Sequence, residues 1–454
     1  MKAERAFGLI LIAGYLMVLA IGLPGHLQTD SIVQLLEGRS GIYASFNPRI
    51  MSWLLGRFDA VLAGTALFVT VSAGLIYGSL LSLGRLRGRV SWWAVPVAAA
   101  LAASPLLLIY QGSVLKDVAF ANLAVAGFVA LAFAAKWRDE PSRAVVPLTA
   151  AFVALAIAAL TRQNGALAVL MAAIAFVVVT HGRGRLVVRS GWAALAFVAV
   201  LGSGVLATKA IERANNVPDD ATRVGLRVLE HYDIAGIVAA EPDAALPEIE
   251  RADPKLAALV RRQAPIEYSP ERVDKLLTIN LWGLDDEAVQ RTWAGLVMSE
   301  PEAYLRHRLS VFGWAFMPPN LGVCLPLHVG VDGPPERLQA LGMQRRMDVR
   351  DTRAYAYAQR FFPTPVYSHL AYLLVALAVA GLLLTRRDPA DLVMVALLAA
   401  GVGFAASFLA IAISCDYRYL YFLDLSAMTG LIYLAVDPPT AQVGRLWRKW
   451  RPGS

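Results

Sequence analysis

Cysteine is nearly missing from this chain. Cys324 and Cys415 are the only two in 454 residues, too few for a disulfide framework and without the CxxC spacing of a cysteine metal site. Charge is scarce as well, at 17% Asp, Glu, Lys and Arg, against about 25% in ordinary globular proteins. Apolar residues reach 57% and mean hydropathy is +0.54, a balance that excludes a soluble protein. Neither an internal repeat nor a low-complexity tract is present, and the long apolar runs carry almost no charge at their centres. A transporter or flippase would be expected to show mid-membrane ionisable groups and matching halves, so that class is disfavoured. The net charge of +8 does not imply nucleic acid, because the basic residues fall in short runs between apolar segments, where they act as topology signals.

What is present is a series of about ten apolar segments, at residues 7–24, 60–83, 92–110, 118–135, 145–160, 166–180, 191–207, 366–384, 392–413 and 419–436. Each is near the length that a bilayer-crossing helix needs. The expected fold is therefore an all-α polytopic membrane protein. A cleaved signal peptide is the alternative reading of 7–24, and it leaves the downstream topology unchanged. Arg85, Arg87 and Arg89, then Lys136 and Arg138, Arg183 and Arg185, Arg386 and Arg387, and the basic tail all fall on one side in this count. Positive residues are retained in the cytoplasm, so both termini are expected there.

Four parts follow: an N-terminal module of seven spans over 1–210, an extracytoplasmic insertion over 211–365, three spans over 366–436, and a basic cytoplasmic tail over 437–454. The first outer loop, 25–59, is the stretch around which the rest is organised. Asp30 follows the first span by a few residues, and two short amphipathic patterns, 30–37 and the run after Pro48, suit interfacial helices that would hold it at the bundle mouth. Lys116, Asp117, Arg162, Asp416 and Arg418 lie at span ends on the same face. Charge at such depth is costly unless paired or functional, and its convergence on one face marks a site. Each residue also has a plainer reading: Asp30 as a helix cap, Lys116 and Asp117 as an interfacial ion pair, Arg162 as a snorkelling anchor, and Asp416–Arg418 as an aromatic-belt turn.

These motifs resemble the GT-C superfamily of integral-membrane glycosyltransferases that use polyprenyl-phosphate sugars. The likeness rests on Thr29-Asp30-Ser31 after span one, Asn47-Pro48-Arg49 before span two, the turn from Ser113 to Asp117 before span four, and Thr161 to Gly165 after span five. It covers the first seven spans. The resemblance implies a GT-C-like fold and transfer of a sugar from a polyprenyl-phosphate donor to a cell-envelope glycan or lipid. It implies Asp30 as the general base of an inverting reaction. Arg162, Lys116 and Arg418 would bind the donor phosphate, with Arg162 preferred for its planar fork. Asp117, Asn47, Asp416, Tyr417 and His231 would contact or orient sugar and acceptor, and Tyr43, Trp53 and Tyr110 are further stacking candidates. No cofactor or metal is expected, although some relatives are metal-dependent; the paired acids Asp219-Asp220 and Asp285-Asp286 read as solvated surface. The basic run from Tyr304 to Arg308 reads as a contact with anionic headgroups. It would instead matter most in the competing reading, a ligase or polymerase with a lipid-diphosphate donor. Cys324 and Cys415 lie on one side and are able to pair.

Overall fold

A computed structural model describes residues 2–45, 47–180, 184–215, 223–271, 276–386 and 388–439. Arg183, Arg387, Asp219-Asp220 and the tail from 440 onward lie outside the described residues.

The helices are α1 (Lys2–Gly22), α2 (Thr29–Ser40), α3 (Arg49–Val61), α4 (Ala66–Arg87), α5 (Ala94–Ala103), α6 (Pro105–Leu108), α7 (Lys116–Lys136), α8 (Pro141–Thr161), α9 (Ala166–Val179) and α10 (Leu186–Ala214), followed by α11 (Val224–Ala240), α12 (Pro247–Ala252), α13 (Pro254–Glu267), α14 (Asp286–Ser299), α15 (Pro301–Phe316), α16 (Pro335–Ala340), α17 (Val349–Gln359), α18 (His369–Arg386), α19 (Pro389–Ile411) and α20 (Tyr421–Val436). Among the described residues eight helices are long and apolar enough to cross a membrane. The other two expected spans differ from simple rods. Segment 92–110 is broken between α5 and α6 by a 68° bend. Pro105 causes it: a residue before proline avoids helical backbone, and Ser104 sits at φ −60°, ψ 135°. Segment 163–179 is a shorter apolar helix, about 25 Å at about 1.5 Å per residue.

The expected span 60–83 also divides. α3 runs through to Val61, the chain turns at Gly64 (φ +92°), and the spanning helix starts at Ala66. α7 and α20 form the bundle centre, with 78% and 83% of their apolar stretches buried, whereas α10, at 17%, lies on the rim. Lipid gives apolar helices little reason to associate, so close packing of small residues has to do so. α7 meets this need with Ala119, Ala121, Ala124 and Gly127; a Cβ on Gly127 would lie 2.7 Å from Leu155 of α8.

The two ends of the bundle are both charged, which composition did not disclose. At one end Arg386 Nε bonds Asp391 Oδ2 at 2.8 Å, Tyr433 donates to Asp391 Oδ1 at 2.7 Å, and Arg87 Nη2 reaches Asp437 Oδ2 at 2.5 Å. Arg87 and Arg386, expected only as topology signals, are also ion-pair partners tying α4, α18, α19 and α20 together. The other end carries α2, α3 and the helices between α10 and α18. α11 to α15 bury an apolar cluster of their own around Ile234, Ile237, Leu246, Val260 and Leu296. The stretch after α15 packs Val331, Leu338 and Leu341 onto Leu27, Ile32 and Leu35 of the first loop.

Candidate functional site

The first loop is pinned before its acid is reached. His26 and Leu27, which follow Gly25, run extended between two other segments: His26 N donates to Gly112 O (2.9 Å), Val114 N to His26 O (3.0 Å), Leu27 N to Gly330 O (2.8 Å) and Asp332 N to Leu27 O (2.9 Å). α2 starts directly after this seam. Its apolar face, Ile32 and Leu35, is wholly buried, each side chain contributing roughly 1.5–3 kcal/mol. Ser31 bonds the carbonyl of Val114. Its second face lies against α3 at Gly38 and Gly56, where the backbones touch: a Cβ on Gly38 would sit 2.3 Å from Ser52 O. Arg39 and Asp59 close the pair with bonds of 2.8 and 2.7 Å.

So fixed, Asp30 points at the bundle. Gln28, not Asp30, occupies the N-cap position of α2, and the Asp30 carboxylate instead accepts from Arg418 Nη1 at 2.9 Å and lies 3.7 Å from Lys116 Nζ. Lys116, the first residue of α7, also donates to Asn47 Oδ1 at 2.6 Å. Arg418 bonds Asp416 Oδ2 at 2.7 Å and lies 3.9 Å from Asp117 Oδ2. Arg162, at the C-terminus of α8, pairs with Asp117 and lies over the rings of Phe408 (5.3 Å), Tyr419 (5.7 Å) and Phe404 (5.8 Å). Asp117 thus holds Arg162 rather than Lys116. Three acids and three cations therefore meet at one end of the bundle. Burial works to raise the Asp30 carboxyl, but the Arg418 guanidinium and Lys116 ammonium outweigh it and hold it at about 2. A cavity of about 640 Å³ opens beside this cluster, lined by Thr29, Asp30, Val33, Glu37, Asn47 and Arg337.

Two of the nominated residues are elsewhere. Tyr417 turns inward, donating to Asp424 Oδ2 at 2.9 Å and stacking on His369 at 4.2 Å, with His369 Nδ1 2.9 Å from Asp424 Oδ1. His231 packs against Trp282 within the α11–α15 layer. The stacking candidates do not offer free faces: Tyr43 is buried, Tyr110 is stacked on Tyr421 at 4.7 Å, and Arg57 covers Trp53 at 5.6 Å. The 304–308 run is corrected too. His307 Nε2 lies 2.8 Å from Asp233 Oδ1, and Arg308 pairs with the same carboxylate while donating to Ala412 O at 2.8 Å. Both are buried, so neither meets headgroups; Arg306 is exposed and bonds Glu302 at 2.9 Å. Of the acid pairs, Asp285 caps α14 and Asp286 pairs with Arg227. Cys324 and Cys415 are bridged, next to Asp416.

Sequence reasoning missed the rings beneath Arg162 and a buried amide pair under the site. Gln111 and Asn122 exchange bonds of 2.9 and 2.7 Å, and Gln111 also donates to Tyr421 Oη at 2.9 Å. Asn122 inside an apolar segment and Gln111 at the edge of another were the available signal, since buried polar groups are almost always partnered. Among the described residues no three His, Cys, Asp or Glu side chains are grouped to hold a metal ion.

No protein-family model matches the chain, and no curated protein does. Among solved structures it is similar to the archaeal oligosaccharyltransferase AglB from Archaeoglobus fulgidus in complex with an inhibitory peptide and a dolichol-phosphate, with a TM-score of 0.40 and 14% identity, covering 98% of this chain and 52% of that one. The apo form of the Archaeoglobus fulgidus oligosaccharyltransferase gives a TM-score of 0.39 and 13% identity, covering 97% and 51%. The chain spans about half the length of these structures. Likeness at that level transfers neither fold nor chemistry to it.

Proposed function

We propose that this chain is a GT-C-type membrane glycosyltransferase that moves a sugar from a polyprenyl-phosphate donor to an extracytoplasmic cell-envelope glycan or lipid, with inversion. The observation that carries the reading is the Asp30 carboxylate held beside Lys116 and Arg418 at the edge of a cavity of about 640 Å³. The acceptor oxygen attacks the anomeric carbon while its proton passes to Asp30. The bond from that carbon to the phosphate oxygen breaks, and its electron pair stays on the phosphate. Arg162, Arg418 and Lys116 neutralise the charge that develops there. Asp117 and Asp416 orient two of those cations, and Asn47 orients the third. The Cys324–Cys415 bridge supports an oxidising, extracytoplasmic setting for this end of the bundle.

Replacing Asp30 with Asn keeps the shape and removes the base. Transfer from a synthetic polyprenyl-phosphate sugar is expected to fall by at least about 100-fold, the lower range for a lost general base, while the protein remains folded in the membrane. An Asp30→Asn enzyme with undiminished turnover would remove Asp30 from the reaction. The lipid-diphosphate ligase reading draws less support. It leans on Arg306, His307 and Arg308, and of these His307 and Arg308 are engaged by Asp233, while Arg306 pairs with Glu302.

A further inference from the structure

A second cavity lies between α1, α5, α6 and α17. It measures about 740 Å³ and shares no lining residue with the cavity beside Asp30. Its hollow exists because the facing positions are small: Ala13 and Gly14 on α1, and Ala99, Ala102 and Ala103 on α5. Its mouth is different in kind. Arg350 and Arg353 of α17 lie there with Tyr357, which donates to Ala103 O at 2.7 Å, while Arg350 reaches Ala20 O at 3.4 Å. α17 is thereby fastened across the ends of α1 and α5. Among the described residues Arg353 is exposed and has no acidic partner, and Arg350 has Asp348 at 3.6 Å.

Position and charge together select an occupant. Along α1 the lining runs from Ile21, level with the arginines, to Ile10. At about 1.5 Å per residue that is roughly 16 Å, close to half of a hydrocarbon core about 30 Å thick. The cavity is thus one leaflet deep, apolar along its length, and bounded by excess positive charge where headgroups lie. We propose that it binds an anionic glycerophospholipid from the leaflet on the Asp30 side, with the phosphate on Arg350 and Arg353 and an acyl chain along α1. A polyprenyl phosphate is the less suited occupant, because a donor phosphate belongs among Lys116, Arg162 and Arg418, and none of these lines the cavity.

The test is native mass spectrometry of the full chain, delipidated in detergent and titrated with phosphatidylglycerol, phosphatidylcholine, undecaprenyl phosphate or inorganic phosphate. Basic residues near an anionic surface contribute roughly 1 kcal/mol each, so two predict about a 30-fold preference for phosphatidylglycerol over phosphatidylcholine, at about 1.4 kcal/mol per tenfold. The double variant Arg350→Gln/Arg353→Gln is expected to lose that preference, and Ala13→Phe, which fills the hollow from an exposed position, to weaken both phospholipids. Arg353→Gln alone alters an exposed side chain and is expected to lose about fivefold, which covers the case of a double variant that does not fold. Equal binding of the two phospholipids by the natural chain would overturn the proposal, as would an unchanged Arg353→Gln. Displacement of phosphatidylglycerol by undecaprenyl phosphate or by inorganic phosphate at equal concentration would also overturn it. Because the readout is binding, Asp30→Asn should leave it unaltered, and the outcome stands apart from that of the transfer assay.

Discussion

Asp30 meets two opposed influences, burial that favours the neutral acid and the charges of Arg418 and Lys116 that favour the anion, and the charges prevail. A carboxyl held at about 2 is a poor proton acceptor, since an effective base lies near the working pH. A bound donor phosphate would change this, because Arg418 and Lys116 would turn part of their charge to it and release Asp30 upward. The expected result is a separation of pH profiles: kcat/KM for the donor, which reports the free enzyme, stays flat on the acid side to below pH 4, whereas kcat falls at a higher pH. Coincident acid limbs in steady-state profiles would contradict it. The sign for stability is the same as for any depressed carboxyl: the contribution is complete above the ordinary value of 3.8 and is lost as pH falls towards about 2. Arg162 makes a second prediction. Its flat guanidinium lies over Phe404, Phe408 and Tyr419 while pairing with Asp117, a combination that a lysine ammonium does not reproduce. Arg162→Lys should lower kcat by about 100-fold, the scale of losing one charge-stabilising group, in the same transfer assay. The acids and cations were legible as charged residues at span ends. Their pairing was not, because neighbours in sequence, Lys116 and Asp117, take different partners across the fold.

At the scale of elements, α2 and α3 are where a local pattern becomes a positioned side chain. The amphipathic runs after Asp30 and after Pro48 suffice to expect two short helices, and α3 does begin immediately after Pro48. Their distance apart depends on Gly38 and Gly56, which periodicity does not single out. Gly38→Ala would place a methyl group 2.3 Å from Ser52 O and force the helices apart. A cost of roughly 1–3 kcal/mol is expected, with Asp30 withdrawn from Arg418. Thermal unfolding and transfer rate should decline together; an unchanged melting temperature would show that the pair yields freely. Segment 92–110 carries a related lesson. Its apolarity marks a span, and Pro105 within it marks the break, yet the contacts made just past the bend come from another segment: Tyr421 donates to Leu106 O at 2.8 Å and accepts from Gln111 at 2.9 Å.

Over the whole molecule, the bridge between Cys324 and Cys415 ties the chain after α15 to the turn that carries Asp416 and Arg418, across 91 residues. Closing so long a loop restricts the unfolded chain, an effect typically of about 2–4 kcal/mol. Reduction, or Cys324→Ser with Cys415→Ser, is expected to lower the melting temperature and to weaken transfer by loosening Arg418; equal melting with and without reductant would refute it. From sequence alone came the all-helical membrane character, the approximate positions of most spans and the meeting of Asp30, Lys116, Asp117, Arg162, Asp416 and Arg418 at one end of the bundle, because those depend on apolar length and on charge placement along the chain. Only the tertiary structure decided that Asp30 faces Arg418 from 388 residues away, that Tyr417 turns inward, that His307 and Arg308 serve Asp233, and that α17 lines a cavity together with α1 and α5. Each of these depends on which segments lie side by side, and hydropathy, which reads one segment at a time, carries no term for its neighbours.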